Sequence, residues 1–226
     1  VTGGDPAEQK SFGDHLDKES RYRRTGEFLD VIKRSWSGEI YDYEGEFFQL
    51  DQGGLRRGLG DREIPQVYFG GASPPGLDVA SRYADVYLTW GEPLDAVAEK
   101  VRVIKEMAAR KDRSIRAGLR IHIITRDSEE EAWVEADRII AGLDAAEVEK
   151  ARERFSRMES VGQAKMAELA HGGDDDLVIA PNLWAGIGLV REGAGTAIVG
   201  SHEQVAERLL EYRDVGIDEF ILSGYP

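Results

Sequence analysis

The stretch "DVYLTWGEPLDAVAEKVRVIKEMAARKDRSIRAGLRIHIITR" (85–126) decides how this chain folds. Its opening "DVYLTWG" (85–91) is a β-branched and aromatic run closed by glycine, which reads as a short strand. "LDAVAEKVRVIKEMAARK" (94–111) sets Val97, Val101, Ile104 and Met107 on or near one stripe of an amphipathic helix. "AGLRIHIITR" (117–126) is a strand again. By the two-residue period of a strand, Leu119, Ile121 and Ile123 share one face, and Arg120 and His122 share the other. Strand, helix, strand is a βα unit of a parallel sheet, with right-handed crossovers.

The same rhythm runs outward. "PQVYFGG" (65–71) is a strand and "LDVASRYA" (77–84) a helix. "SEEEAWVEADRIIAGL" (128–143) is a helix behind an N-cap Ser128. The helix "SHEQVAERLLEYRDVG" (201–216) and the strand "DEFILSGYP" (218–226) close the chain. Four parallel strands are therefore expected, at 66–69, 86–90, 118–125 and 219–223. Upstream, "SRYRRTGEFLDVIKRSW" (20–36) is a helix with Ser20 as N-cap, "GEIYDYEGEFFQL" (38–50) a hairpin turning at Glu44-Gly45, and 51–63 a glycine-rich loop. Residues 144–200 are too long for an ordinary connection. A charged helix (145–158) and the run "PNLWAGIGLVREGAGTAIVG" (181–200) lie inside it. Glycines 186, 188, 193, 195 and 200 suggest a bendable lid at the strand ends, where parallel α/β folds gather their sites.

Composition narrows the partners. A net charge of −14 argues against nucleic acid or an anionic membrane as partner, and leaves room for a small anion at a locally cationic site. No apolar run reaches the length of a membrane span, and no signal-peptide pattern opens the chain. With no cysteine and no His/Asp/Glu cluster at ligand spacing, no disulfide or metal is expected, and the cytoplasm is the expected compartment. The start at Val1, without Met and resembling a strand end, suggests a piece of a longer protein.

Arg120 and His122, aimed together off the apolar face, need a reason. Either they point into a barrel near its reacting end, or Arg120 pairs with a core carboxylate beside a structurally bonded His122. "GGAS" (70–73) after a strand could let backbone N–H groups approach a phosphate, with Ser73 as a further donor, but it lacks the spacing of a GxGxxG fingerprint.

Several runs together resemble the flavin-dependent monooxygenases of the bacterial luciferase-like superfamily, and more specifically the two-component alkanesulfonate monooxygenases. They are "VTGGDP" (1–6), Arg21-Tyr22 with Glu27-Phe28, "YFGGAS" (68–73), "YLTWGEP" (87–93), "LRIH" (119–122), "SVGQ" (160–163), "PNLWAGIGLVREGAGTAIVG" (181–200) and "ILSGYP" (221–226). The resemblance implies one α/β domain over 1–226: a (β/α)8 TIM barrel of the luciferase-like type, present incompletely. It would run from the end of strand four to strand eight, with a lid insertion at 144–200 before strand eight. Two features depart from the pattern: Lys18 stands where relatives carry a His, with His15 nearby, and the loop at 51–64 is more charged than expected.

The resemblance further implies FMNH2 and O2 as co-substrates, a separate NAD(P)H-dependent FMN reductase, and desulfonation of a small alkanesulfonate to aldehyde and sulfite during sulfur starvation. A homo-oligomer, dimer or tetramer, is implied as well. Arg120, His122, Arg191 and Tyr225 would be catalytic, with Trp90, Arg120 and Arg191 against the substrate. Thr2, Tyr22, Gly70, Gly71 and Ser73 would bind the flavin. The alternatives are a luciferase-like oxygenase for another small substrate and a non-catalytic flavin-binding barrel. The fragment alone is expected to be inactive.

Overall fold

A computed structural model describes residues 6–144, 161–169, 177–191 and 193–224. The expected helix 145–158, Thr2 and Tyr225 fall outside the described residues. A short helix α1 (Pro6–Ser11) leads to α2 (Lys18–Trp36). The cap of α2 is Asp17 and not the expected Ser20: the Asp17 carboxylate accepts from the Ser20 backbone N–H at 2.8 Å and the Ser20 hydroxyl at 2.9 Å. The cap thus lies three residues earlier, because a carboxylate satisfies the first-turn donors. The expected hairpin forms from β1 (Tyr41–Glu44) and β2 (Gln49–Gly53). Glu44 belongs to β1, however, and β2 runs on through Gly53 into the stretch read as a loop, because Tyr41 pairs with Gly53. The turn is held by Glu27, which accepts from the backbone of Glu46, Phe47 and Phe48.

Next come β3 (Tyr68–Gly70), α3 (Pro74–Tyr83), β4 (Val86–Trp90), α4 (Leu94–Ala109), β5 (Arg116–Arg126) and α5 (Glu129–Ile140). The insertion contributes α6 (Val161–Leu169), β6 (Val178–Ala180), β7 (Leu183–Trp184) and α7 (Ile187–Val190). Then β8 (Ala197–Ser201), α8 (His202–Asp214) and β9 (Glu219–Gly224) complete the described chain. The four expected strands are β3, β4, β5 and β9, all parallel, and they make a curled sheet whose outer edges at β3 and β9 have no strand partner among the described residues. Among the described residues, no helix is long and apolar enough to cross a membrane.

β5 is the hub. Arg116–Arg120 pair with β4, His122–Arg126 pair with β8, and Gly118–Ile123 pair with β9. Gly91 N–H donates to the Arg120 carbonyl and His122 N–H donates to the Thr196 carbonyl. In a parallel ladder the carbonyl of residue i and the N–H of residue i+2 point to the same edge. So β8 extends the edge that β4 begins, and β9 takes the other. Leu119 and Ile121 are fully buried against Val97 and Val101 of α4, Val205 and Tyr212 of α8, and Ile198. Gly118, on the opposite face, meets Leu88 and Val86. The alternation read from the sequence is thereby fixed: helices cover the Leu119 face, and Arg120 and His122 face the interior of the curl. At the far end of that interior Glu219 accepts from the Tyr68 hydroxyl at 2.6 Å and pairs with Arg116, tying β3, β5 and β9 together.

β8 is the element the sequence reading folded into the insertion. Residues 197–200 are all buried, as are Leu183, Trp184 and Ile187. Three of the glycines here, Gly186, Gly195 and Gly200, serve close packing rather than bending. A Cβ on Gly186 would lie 2.0 Å from the Trp184 ring, one on Gly195 3.1 Å from the Gly188 backbone, and one on Gly200 2.7 Å from Gln204. Among the five, Gly193 alone has a left-handed backbone, at φ +96.

Leu119→Ala is expected to cost about 2–5 kcal/mol, since it opens a cavity between sheet and helices. Val134→Ala, at a site that is 68% exposed, is expected to shift stability by less than about 0.5 kcal/mol. Urea unfolding of both variants checks the contrast.

Candidate active site

The C-terminal ends of β3 and β4 open on a cleft of about 200 Å3. Gly70, Gly71, Trp90 and Arg120, all singled out in the sequence, line it together, along with Glu92, Lys100 and Gly162. Helix α6 closes one side, where a Cβ on Gly162 would lie only 3.2 Å from the Trp90 ring. The absence of a side chain at Gly162 permits the helix to rest on the indole.

Arg120 lies at the β5 end of this cleft. Among the described residues it makes no ion pair, and its buried Nε has no hydrogen-bond partner. A core carboxylate as its partner is therefore not found among the described residues. A buried guanidinium donor is costly unless something accepts from it, and its planar fork fits an oxyanion.

His122 is 1% exposed, covered by the residues leading into β8. Burial holds its imidazole below the ordinary range, the Arg191 and Arg120 charges add to this, and a hydrogen bond with the Ala194 backbone opposes it. Arg191 itself is exposed, at the end of α7, yet close enough to be felt. Arg120 and His122 thus share one face of β5, and the Arg191 charge reaches His122.

A second group forms at the start of α3. Ser73 caps the helix, its hydroxyl oxygen accepting from Gly76 N–H, while the hydroxyl proton stays available to donate. Tyr22 from α2 is buried, and its hydroxyl would lie 3.2 Å from a Cβ on Gly76 and 3.5 Å from one on Gly71. Two hydroxyls and the glycine backbone thus share one corner beside the cleft, a donor set that fits a phosphate. Tyr87 donates to the Gly71 carbonyl at 3.3 Å, and burial, then the nearby Glu92 charge, pushes its phenol up to about 12.

Sequence reasoning missed Glu92, Lys100 and Thr196. Glu92 carried a signal, an acid between Gly91 and Pro93 directly after a strand. Thr196 carried none. It is fully buried, donates from its hydroxyl to the Gly91 carbonyl at 2.8 Å, and accepts at its own carbonyl from His122 N–H at 3.1 Å. It locks the strand end that bears Trp90 to the strand that bears His122.

Residues 1–219 match the luciferase-like monooxygenase family, and the chain belongs to it. Solved structures of similar fold include a riboflavin lyase determined with a modified FMN and riboflavin (TM-score 0.72, 18% identity, 96% of this chain and 56% of that one). An EDTA monooxygenase from Chelativorans sp. BNC1 is similar at a TM-score of 0.68 and 22% identity, over 97% of this chain and 60% of that one. A long-chain alkane monooxygenase matches at 0.68 and 18% identity, over 96% and 55%. The chain therefore spans somewhat more than half the length of these proteins.

Two outcomes are expected here. Because His122 is held neutral in the fold, the unfolded chain binds more protons below its ordinary pKa near 6.5. Stability from this group is complete above that pH and is lost as pH falls toward the lowered folded value, so His122→Gln should flatten the stability profile between about pH 5 and 7. Denaturant unfolding across that range, compared with the parent, reads it. Thr196→Val should cost about 1–3 kcal/mol by leaving the buried Gly91 carbonyl unsatisfied, and Thr196→Ser should recover most of it.

Proposed function

We propose that this chain belongs to a two-component flavin monooxygenase that desulfonates alkanesulfonates with FMNH2 and O2, the reduced flavin coming from an NAD(P)H-dependent FMN reductase. The observation that carries the reading is Arg120: a guanidinium with a buried, unpartnered Nε in a cleft shared with Trp90, beside a neutral His122. Sulfonate, with three acceptor oxygens on a tetrahedral anion, satisfies such a fork. Overall, RCH2SO3−, O2 and FMNH2 become an aldehyde, sulfite, FMN, water and a proton. Bound reduced FMN supplies the electrons and activates O2.

The chain's own residues bind, orient and move a proton. Ser73, Tyr22 and the Gly70-Gly71 backbone hold the flavin phosphate, with Thr2 as a further contact. Arg120 orients the sulfonate and Trp90 packs on the alkyl chain. His122, neutral near pH 7, can accept the proton that the stoichiometry releases. Arg191 adds a second cation from the insertion 144–200, which covers the reacting end and excludes water, and Tyr225 adds a hydroxyl. A cytoplasmic homo-oligomer completes the proposal.

A second reading draws on the apolar part of the cleft lining, Ala72, Leu88 and Trp90: an oxygenase of the same family for a different small substrate. Solved proteins of this fold include ones named for EDTA and for long-chain alkanes.

In the full-length protein, supplied with reduced FMN and octanesulfonate, sulfite release is expected, and Arg191→Ala should abolish it while FMNH2 still binds. Ser73→Ala and Tyr22→Phe should each weaken FMNH2 binding by about 1–2 kcal/mol. FMNH2 binding without sulfite from any sulfonate tried, but with oxidation of another substrate, would favour the second reading. Binding with no turnover of any substrate would leave a flavin-binding module.

A further inference from the structure

We infer that Lys100 is a further anion-binding residue of this cleft, seated by the buried Glu92 so that it reads the phosphate of a flavin mononucleotide. The inference rests on the phosphate corner at Gly71–Ser73 proposed above and deepens it.

The Glu92 carboxylate is almost wholly out of water, its side chain 3% exposed. Such a group is tolerated only with a partner, and Lys100 is that partner, in a close ion pair. Both ends of the pair are held. Glu92 sits where the β4 end turns into α4, and its carbonyl accepts from the Tyr212 hydroxyl at 2.6 Å. Lys100 stands less than two turns into α4, and long helical side chains lean back toward the helix N-terminus, here toward the cleft.

Replacing a buried ion pair with apolar residues is often neutral or stabilising, so stability alone gives little reason for two charges at this wall. A ligand gives one. An ammonium has three donors, and Glu92 is the hydrogen-bond acceptor found for Lys100, which leaves donors for a second anion. Lys100 lines the same cleft as Gly70, Gly71, Ala72 and Arg120. With Glu92 neutralised by Lys100, the Arg120 charge remains in excess, so the local field favours an anion although the chain as a whole carries −14. In this arrangement one ammonium bridges the protein carboxylate and the ligand phosphate, and Glu92 is its positioning residue.

The test compares reduced FMN with reduced riboflavin, which differ by the phosphate alone, in anaerobic titrations of the full-length protein. The parent should prefer reduced FMN. Lys100→Met should lose about tenfold of that preference with riboflavin affinity unchanged, as expected for one charged hydrogen bond. Because Lys100→Met strands a buried carboxylate, the double variant Lys100→Met/Glu92→Gln, which removes both charges, is measured beside it and should show the same loss. A preference retained in the folded double variant, while Ser73→Ala reduces it, would overturn the role of Lys100 and leave the phosphate corner standing. Equal affinity of the parent for the two flavins would overturn the phosphate corner, and the role of Lys100 with it.

Discussion

The two-faced pairing of β5 is the constraint on which the rest of this structure depends. One face must bury Leu119 and Ile121 against α4 and α8, and the pleat then leaves Arg120 and His122 no choice but the interior. A slip of one residue would place a guanidinium among leucine and valine side chains and an isoleucine at the cleft. The strand is pinned against such a slip at three places: β4 on its first half, β8 on its second, and β9 along the opposite edge. At its N-terminal end Asp218 adds a paired lock, donating from its N–H to the Ala117 carbonyl and accepting from Ala117 N–H at 2.8 Å each.

Electrostatics and packing then divide the work. The chain is strongly acidic, yet Arg120 and Lys100 line one opening. Burial first, then the Arg191 and Arg120 charges, holds the His122 imidazole below its ordinary range. Close backbone approaches make it possible. A Cβ on Gly91 would lie 2.6 Å from the Thr196 hydroxyl oxygen, and that hydroxyl is what ties Gly91 to β8.

Much of this was legible in the residues themselves. The period-two run at 117–126 and the amphipathic helix at 94–111 carry their own geometry, because side-chain direction in a strand or helix is set by the local backbone. Hence the parallel strands, the helix-facing residues and the inward pair were readable before any fold was known. Tyr22, Gly71 and Ser73 were grouped through resemblance, and the fold does bring them to one corner.

Tertiary structure alone decided what depends on contacts between distant segments. β8 carries the run "AIVG" inside a glycine-rich stretch, with no local period long enough to mark it; it becomes a strand because the β4 edge ends and leaves the second half of β5 to pair. Gly186, Gly195 and Gly200 looked like hinges, since sequence shows the absence of a side chain but not the ring, side chain or backbone that would occupy its place. Thr196, Glu92 and Lys100 likewise acquire meaning only through partners in other elements. Local sequence set which way each side chain points along its own element; which neighbour it meets was settled by the packing of the whole chain.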